Sequence, residues 1–203
     1  MSRLRSGFIL GFHGCDAAVA EEILSGGSIR QSAKDFDWLG PGAYFWEADA
    51  QRALEWAQEK VVRGDYKHAA VVGAVVDLGN CLDLTTRADL ELLADAYASF
   101  EQAQQKAGLA MPENRDARGA SRDDKALRFL DCAVIKHLHQ NIDDEAEDCR
   151  SRGEMPAISP FDTVRGLFAE GGQLYPGGGF YSHTHAQIAV RNEACIKGVF
   201  TPR

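Results

Sequence analysis

The sequence predicts an α+β fold, in which strand-like segments near both ends of the chain flank a helical middle. Near the start, large apolar residues alternate with small or polar ones through Gly7–Asp16, the two-residue period of a strand. From about residue 87 to 141, apolar residues recur at helical spacing instead. Alternation returns at "AQIAVRN", residues 186–192. We therefore expect one domain over residues 1–203, with a helical insertion at about 87–141.

The first third predicts two strand–helix units followed by further strands. Asp16 has the position of a helix cap, and a helix from about Ala17 to Ser25 ends at a Gly-Gly pair. A polar stretch leads to the strand "AYFWE", and a second helix follows from about Asp49 to Val62. The segment "HAAVVGAVVDL" has the continuous apolar character of a buried strand, and "CLDL" predicts a short neighbour.

Two helices are predicted in the middle, and strands return in the last third. The segment "ADLELLADAYASFEQAQQKAG" carries an apolar helical stripe, and "SRDD", Ser121 to Asp124, has the pattern of a capping box that opens the next helix. The acidic run from Asp143 to Asp148 predicts a solvated face or a turn. After it, "FDTVRGLF" predicts a strand or a turn-rich element, "AEGGQLYPGGGFYSHTH" a surface loop, and "CIKGVF" a closing strand.

Charge, hydropathy and cysteine spacing argue against several classes of protein. A net charge of −8 gives the chain no overall attraction for nucleic-acid phosphates. No apolar run approaches the roughly 18 residues of a membrane helix, and the short glycine-containing apolar start does not resemble a signal peptide. The five cysteines form no C-x-x-C pair, which favours reduced thiols over disulfides or a zinc site. We expect a cytoplasmic protein with no membrane partner and no metal.

Three predicted strands carry residues that suit chemistry as well as packing. His13 and Gly14 close the first strand, where a ring nitrogen lies beside a bare backbone. A "GPG" turn delivers Tyr44 to the second strand, and a long loop delivers Gln187 to a late one. Each residue also fits a structural role: His13 at a strand end, Tyr44 in the core, and Gln187 as an exposed strand residue. Because they are 31 and 143 residues apart, only the fold can bring them together.

The order and spacing of these motifs resemble the ADP-ribosyltransferases, in the diphtheria-toxin-like and poly(ADP-ribose)-polymerase-like branch named for its His-Tyr-Glu triad. The matching features are an early His-Gly pair, a Gly-x-Gly-x-Tyr-Phe turn before a helix, and a polar residue opening a late strand. The resemblance covers about Gly11–Ala57 and Ala186–Phe200, and the helical middle has no part in it. It implies a split, mostly antiparallel β-sheet pair around an NAD cleft.

The resemblance also implies roles for individual residues. His13 would bind a ribose hydroxyl of NAD, and Gly14 would let the backbone approach the nicotinamide amide. Tyr44, placed by the turn that contains Gly42, would stack on the cationic nicotinamide ring. Gly42 is accordingly counted with these NAD-binding residues. Arg191 would contact an NAD phosphate or pair with an acid.

Residues near these motifs have two interpretations each. Trp38 lines the cleft or packs under the turn that precedes Tyr44. Asp162 and Arg165 form a structural ion pair or contact the acceptor, and His185 contacts the acceptor or the nucleotide.

Gln187 stands where the family has a glutamate that steadies the developing oxocarbenium charge. A glutamine can bond a ribose hydroxyl but carries no negative charge. Three explanations stay open: the acceptor supplies its own activation, a nearby carboxylate substitutes, or the protein binds NAD without turning it over. The candidate carboxylates are Glu47, Glu170 and Asp162.

The predicted function is mono-ADP-ribosyl transfer, with His13, Tyr44 and Gln187 as the catalytic set. The enzyme would cleave NAD, its substrate, at the nicotinamide–ribose bond and pass ADP-ribose to a protein, nucleic acid or small-molecule acceptor. The loop from Gly171 to His185 is the natural place to recognise that acceptor, because it adjoins the last active-site strand. The alternatives are an NAD glycohydrolase, and a catalytically weak module that binds NAD or ADP-ribose for regulation.

Overall fold

The computed structural model describes residues 7–116 and 124–202, and it confirms the α+β class. The strands are β1 (Phe8–Asp16), β2 (Ala43–Glu47), β3 (Ala69–Asp77), β4 (Cys81–Asp83), β5 (Thr163–Phe168), β6 (His185–Val190) and β7 (Ile196–Phe200). The helices are α1 (Ala17–Leu24), α2 (Ala50–Val62), α3 (Arg87–Ala107) and α4 (Phe129–Arg152). Within the described residues, no helix is both long and apolar enough to cross a membrane.

The seven strands of the described residues form one mixed sheet, in the order β4-β5-β6-β2-β1-β3-β7. Only the β4–β5 pair is parallel, so the sheet is mostly antiparallel, as expected. It is one sheet and not the predicted pair of sheets. The nearest feature to a division is the β1–β2 seam, which has two residue pairs, Gly11 with Glu47 and Phe12 with Trp46. By contrast, β1 pairs with β3 over all nine of its residues.

The sheet has a hydrophobic core on each face. On the first face, called the α1 face, Ile23 of α1 packs in one cluster with Phe45 and Ile188. On the second face, called the α4 face, Leu138 of α4 packs in another cluster with Ala189. Since Ile188 and Ala189 are consecutive in β6, their side chains point to opposite faces, and the two cores lie on opposite sides of the sheet.

Local signals placed the first two helices correctly. The Asp16 carboxylate accepts a hydrogen bond from the Ala18 amide at 3.1 Å, and α1 ends one residue earlier than predicted. Asp49 caps α2 in the same way, accepting from the Arg52 amide at 2.9 Å. Both caps satisfy amides that have no partner within the helix, so these helix starts are confirmed.

The start of α4 differs from its prediction. Ser121 of the predicted capping box lies outside the described residues, and α4 begins only at Phe129. The reason is a backbone bridge in which Arg115 and Leu127 exchange hydrogen bonds of 2.9 and 3.0 Å, which holds the chain before Phe129 out of a helix. The acidic run Asp143–Asp148 is part of α4, so the predicted turn is wrong, and the solvated-face interpretation fits.

Candidate functional site

The sheet order places the three motif strands side by side, as β6-β2-β1. Tyr44 pairs with Ala189 of the α4-face core, so Tyr44 and Gln187 share that face. His13 pairs with Val72, which belongs to the α1-face core. The strands are therefore neighbours, but the His13 side chain points to the opposite face from those of Tyr44 and Gln187.

His13 lies where the β1–β2 seam opens. Its Nδ1 is 2.9 Å from the carbonyl oxygen of Tyr44, which a continued ladder would have bonded to a backbone amide. Because a carbonyl only accepts, Nδ1 must carry the proton. Burial lowers the pKa of His13, which leaves the ring neutral near pH 7. Its Nε2 then presents a lone pair, which suits a hydroxyl donor such as one on ribose.

Close packing explains both glycines of the predicted site. A Cβ on Gly14 would come within 3.0 Å of the Ala53 carbonyl oxygen of α2, so only glycine lets α2 approach β1 this closely. A Cβ on Gly42 would lie 3.0 Å from the Val190 carbonyl oxygen of β6. The backbone of Gly42 also exchanges hydrogen bonds of 2.8 and 2.9 Å with Ser32.

Tyr44 is held at both ends. Its hydroxyl donates to the Gly40 carbonyl at 2.8 Å and accepts from the Leu39 amide at 3.0 Å. Its ring packs against the core of the α4 face. Burial raises the pKa of Tyr44, so the phenol stays protonated and keeps both bonds. These contacts are those of a core residue that fixes the turn before β2.

Gln187 is oriented by Trp38, whose indole N–H donates to the Gln187 side-chain oxygen at 2.6 Å. The Trp38 ring in turn packs edge-on against Phe168, with 5.1 Å between ring centroids. Trp38 therefore packs against β5 and fixes the position of the Gln187 amide on β6.

The cationic side chains near these strands are engaged. Arg191 donates to the Phe161 carbonyl at 2.7 Å and to Asp143 at 2.9 Å, which confirms its pairing with an acid. The predicted ion pair of Asp162 with Arg165 is wrong. Residues three apart in an extended segment face opposite sides, and Arg165 pairs instead with Glu47 at 2.6 Å and, at 3.3 Å, with Asp83.

A polar cluster beside Gln187 brings together Arg52, Glu170 and His185. Arg52 of α2 donates from Nε and Nη2 to one oxygen of Glu170, Oε1, at 3.0 and 2.6 Å. That oxygen is 3.8 Å from Nδ1 of His185, which also donates to the His183 carbonyl at 2.6 Å. The sequence singled out Glu170 and His185 but not Arg52. An arginine in the first turn of a helix gives no signal when its partner is 118 residues away.

Three nitrogens around this cluster are buried without a hydrogen-bond partner: Trp46 Nε1, Arg52 Nη1 and His185 Nε2. Trp46 and His185 are only 4% and 6% exposed, and their ring centroids are 6.1 Å apart. Arg52 Nη1 is 3.6 Å from Glu59, too far for a hydrogen bond. Burial lowers the pKa of His185, so its Nε2 carries a free lone pair. Buried polar atoms in native proteins are mostly hydrogen-bonded, so these three nitrogens suit a polar ligand or ordered water.

A cavity of about 480 Å³ opens next to the cluster. It meets the cluster at Glu59, which faces Arg52, and at His183, whose carbonyl holds His185. The cavity is shallow and open to solvent, because five of its six lining residues are exposed. Its lining residues come from α2 and the loop before β6: Glu55, Gln58, Glu59, Val62, Arg63 and His183.

Comparisons with known proteins assign no family to this arrangement of residues. No protein-family model, curated protein or solved structure matches the chain.

Proposed function

We propose that the protein is a mono-ADP-ribosyltransferase that uses NAD as its substrate. The observation that supports this most is the strand order, which makes neighbours of β1, β2 and β6. The motif residues on these strands are separated by 31 and 143 positions in the sequence. Their motifs resemble those of one enzyme family in order and kind, and the fold gives them adjacent strands.

The reaction breaks the bond between C1′ of ribose and the nicotinamide nitrogen, and the electron pair leaves with nicotinamide. The acceptor nucleophile then bonds to C1′ and loses its proton. His13 points to the α1 face, so its neutral ring does not reach a ribose bound beside Gln187 on the α4 face. Gln187, oriented by Trp38, would offer its amide nitrogen to a hydroxyl of that ribose. Neither residue supplies negative charge for the oxocarbenium-like transition state, where a preorganised group is worth about 3–4 kcal/mol.

A second candidate is an NAD- or ADP-ribose-binding module with weak turnover. One contact favours it: the side-chain oxygen of Gln187 already accepts from Trp38, so the residue is both neutral and occupied. Glycohydrolysis is the same chemistry as transfer, with water as the acceptor.

The test is to incubate the purified protein with labelled NAD and a cell lysate. Label on macromolecules or on a small acceptor supports transfer, and free ADP-ribose alone supports hydrolysis. Unchanged NAD with measurable binding supports the module. If NAD is neither bound nor cleaved, the proposal is wrong.

Gln187→Glu sharpens this test, because a carboxylate oxygen still accepts from Trp38 and adds the family's charge. We expect NAD cleavage to rise on the order of 10- to 100-fold. Gln102→Glu, on the exposed surface of α3, is the matched control and should leave cleavage unchanged.

A further inference from the structure

The Arg52–Glu170–His185 cluster has hydrogen-bonding capacity to spare. Both bonds from Arg52 go to Oε1 of Glu170, which leaves Oε2 open to another donor. Glu170 is partly accessible, with 15% of its side chain exposed. The open carboxylate oxygen joins the three unpaired nitrogens of Trp46, Arg52 and His185. The cluster thus has two free acceptors, Oε2 and the His185 lone pair, and two free donors, the Trp46 and Arg52 N–H groups.

The cluster shares a face of the sheet with Gln187. Gly166 pairs with Gln187, and Phe168 pairs with His185, two residues further along the β5–β6 hairpin. The His183 amide donates to the Glu170 carbonyl at 3.1 Å, which continues the same alternation. His185 and Gln187 therefore point to the α4 face, and Glu170, just past the end of β5, lies against His185.

Two donors and two acceptors match a vicinal diol, because each hydroxyl both donates and accepts one hydrogen bond. A phosphate or sulfate fits less well, since it offers acceptors only and would face the Glu170 carboxylate. The cluster is also flanked by rings: Trp46 lies 5.6 Å from Trp56, and His185 stacks on Phe168 at 5.7 Å. Small-molecule sites commonly combine such aromatic rings with a few well-placed polar groups.

We propose that Trp46, Arg52, Glu170 and His185 bind the vicinal diol of a ribose, and that Glu170 is the catalytic carboxylate that compensates for Gln187. The second half of this proposal rests on the proposed function. Glu170 would bond a ribose hydroxyl through Oε2 while Arg52 holds Oε1. Its negative charge would stabilise the positive charge that develops on the ribose ring as the bond to nicotinamide breaks.

The diol site is tested by calorimetry with ADP-ribose, D-ribose 5-phosphate and 2-deoxy-D-ribose 5-phosphate. The deoxy sugar lacks one hydroxyl of the diol, so we expect it to bind at least about tenfold more weakly than its ribose counterpart, the effect of losing one well-made hydrogen-bond set. Equal binding of the two sugars, or binding of neither, would show that the unpaired atoms hold ordered water only and would overturn the site.

The catalytic role is tested with Glu170→Gln, which keeps an oxygen for Arg52 and removes the charge. We expect NAD cleavage to fall about 100-fold, while the Kd for ADP-ribose rises less than about tenfold. Glu91→Gln is the matched control, because it removes a carboxylate that pairs with an arginine, Arg87, on the exposed surface of α3, and its cleavage rate should stay within about threefold. Unchanged cleavage in Glu170→Gln contradicts the role of Glu170.

Two further comparisons keep the tests independent. If Glu170→Gln does not fold, Trp46→Phe keeps an aromatic ring but removes the unpaired N–H together with the second ring of the indole, and it should weaken ribose 5-phosphate binding several-fold relative to the unsubstituted protein. Unweakened binding would count against the site. If the protein binds ribose 5-phosphate more tightly than its deoxy counterpart but does not cleave NAD, the diol site stands and the proposed function is wrong. Equal NAD cleavage by Glu170→Gln and by the unsubstituted protein would leave the proposed function standing and contradict only the catalytic role of Glu170.

Discussion

Replacing Gly14 with alanine should destabilise the protein by displacing α2 from the sheet. The added Cβ would come within 3.0 Å of the Ala53 carbonyl oxygen, 3.1 Å from the Ala53 carbonyl carbon and 3.4 Å from the Ala57 Cβ. The first two atoms belong to the helix backbone, so no side-chain rotation relieves the contact. To restore ordinary separations, α2 must move by roughly 1 Å away from β1.

The size of the effect follows from overpacking, which typically costs about 1–3 kcal/mol. For a chain of this length that corresponds to a fall in Tm of about 2–12 °C. Urea and thermal unfolding followed by circular dichroism would measure both quantities. Gly198→Ala is the matched control, because Gly198 also lies in a strand, β7, and nothing lies within 4 Å of its added Cβ. It should be neutral or slightly stabilising.

If Gly14→Ala unfolds at the same urea concentration as the unsubstituted protein, the added Cβ does not displace α2. That result would mean that α2 is not seated on Gly14 as described. The place of Arg52 beside Glu170 depends on the same seat, because Arg52 directly precedes Ala53 in α2.

Three further predictions concern buried polar groups. Tyr44→Phe should lower the free energy of unfolding, measured in urea, by about 1–3 kcal/mol, because it leaves the Leu39 amide and the Gly40 carbonyl unpaired. The control, Tyr97→Phe at an exposed hydroxyl, should change that free energy by less than about 0.5 kcal/mol. Burial, and secondarily Arg191, lowers the pKa of His139 to about 3. The contribution of neutral His139 to folding stability is therefore complete above pH 6.5. It is lost as the pH falls towards 3, by up to about 1.4 kcal/mol per pH unit. His139→Leu should therefore flatten the decline of stability between pH 7 and pH 4, and an unchanged slope would contradict this. All five cysteines are buried, and burial raises the pKa of Cys15 to about 11, so iodoacetamide at pH 8 should label them only after unfolding; rapid labelling of the native protein would show that a thiol is accessible.

The sequence predicted the structural features that depend on residues close together in the chain. The caps at Asp16 and Asp49, and the alternation in β1 and β6, lie where their patterns indicated. Each of these signals depends on contacts between near neighbours in the chain, and such contacts survive in almost any tertiary context.

The sequence did not predict features that are set by contacts between segments far apart in the chain. The start of α4 is set by a bridge from Arg115 to Leu127, which overrides a plausible capping pattern. The Arg52–Glu170 pair joins residues 118 positions apart, and neither residue type is unusual in its local setting. The side of the sheet that His13 faces follows from its register with β3, which no local pattern encodes.

The two-pair ladder at the β1–β2 seam makes the sheet mechanically uneven. Twisting one side of the sheet against the other would break few hydrogen bonds at the β1–β2 seam. The same twist within the nine-pair β1–β3 ladder or the six-pair β5–β6 ladder would break many more. The hydrogen bond from His13 to the Tyr44 carbonyl joins β1 and β2 at the point where the ladder between them ends. We therefore expect the two halves of the sheet to change their relative angle mainly at this seam, and such a change would lengthen the bond between His13 and Tyr44.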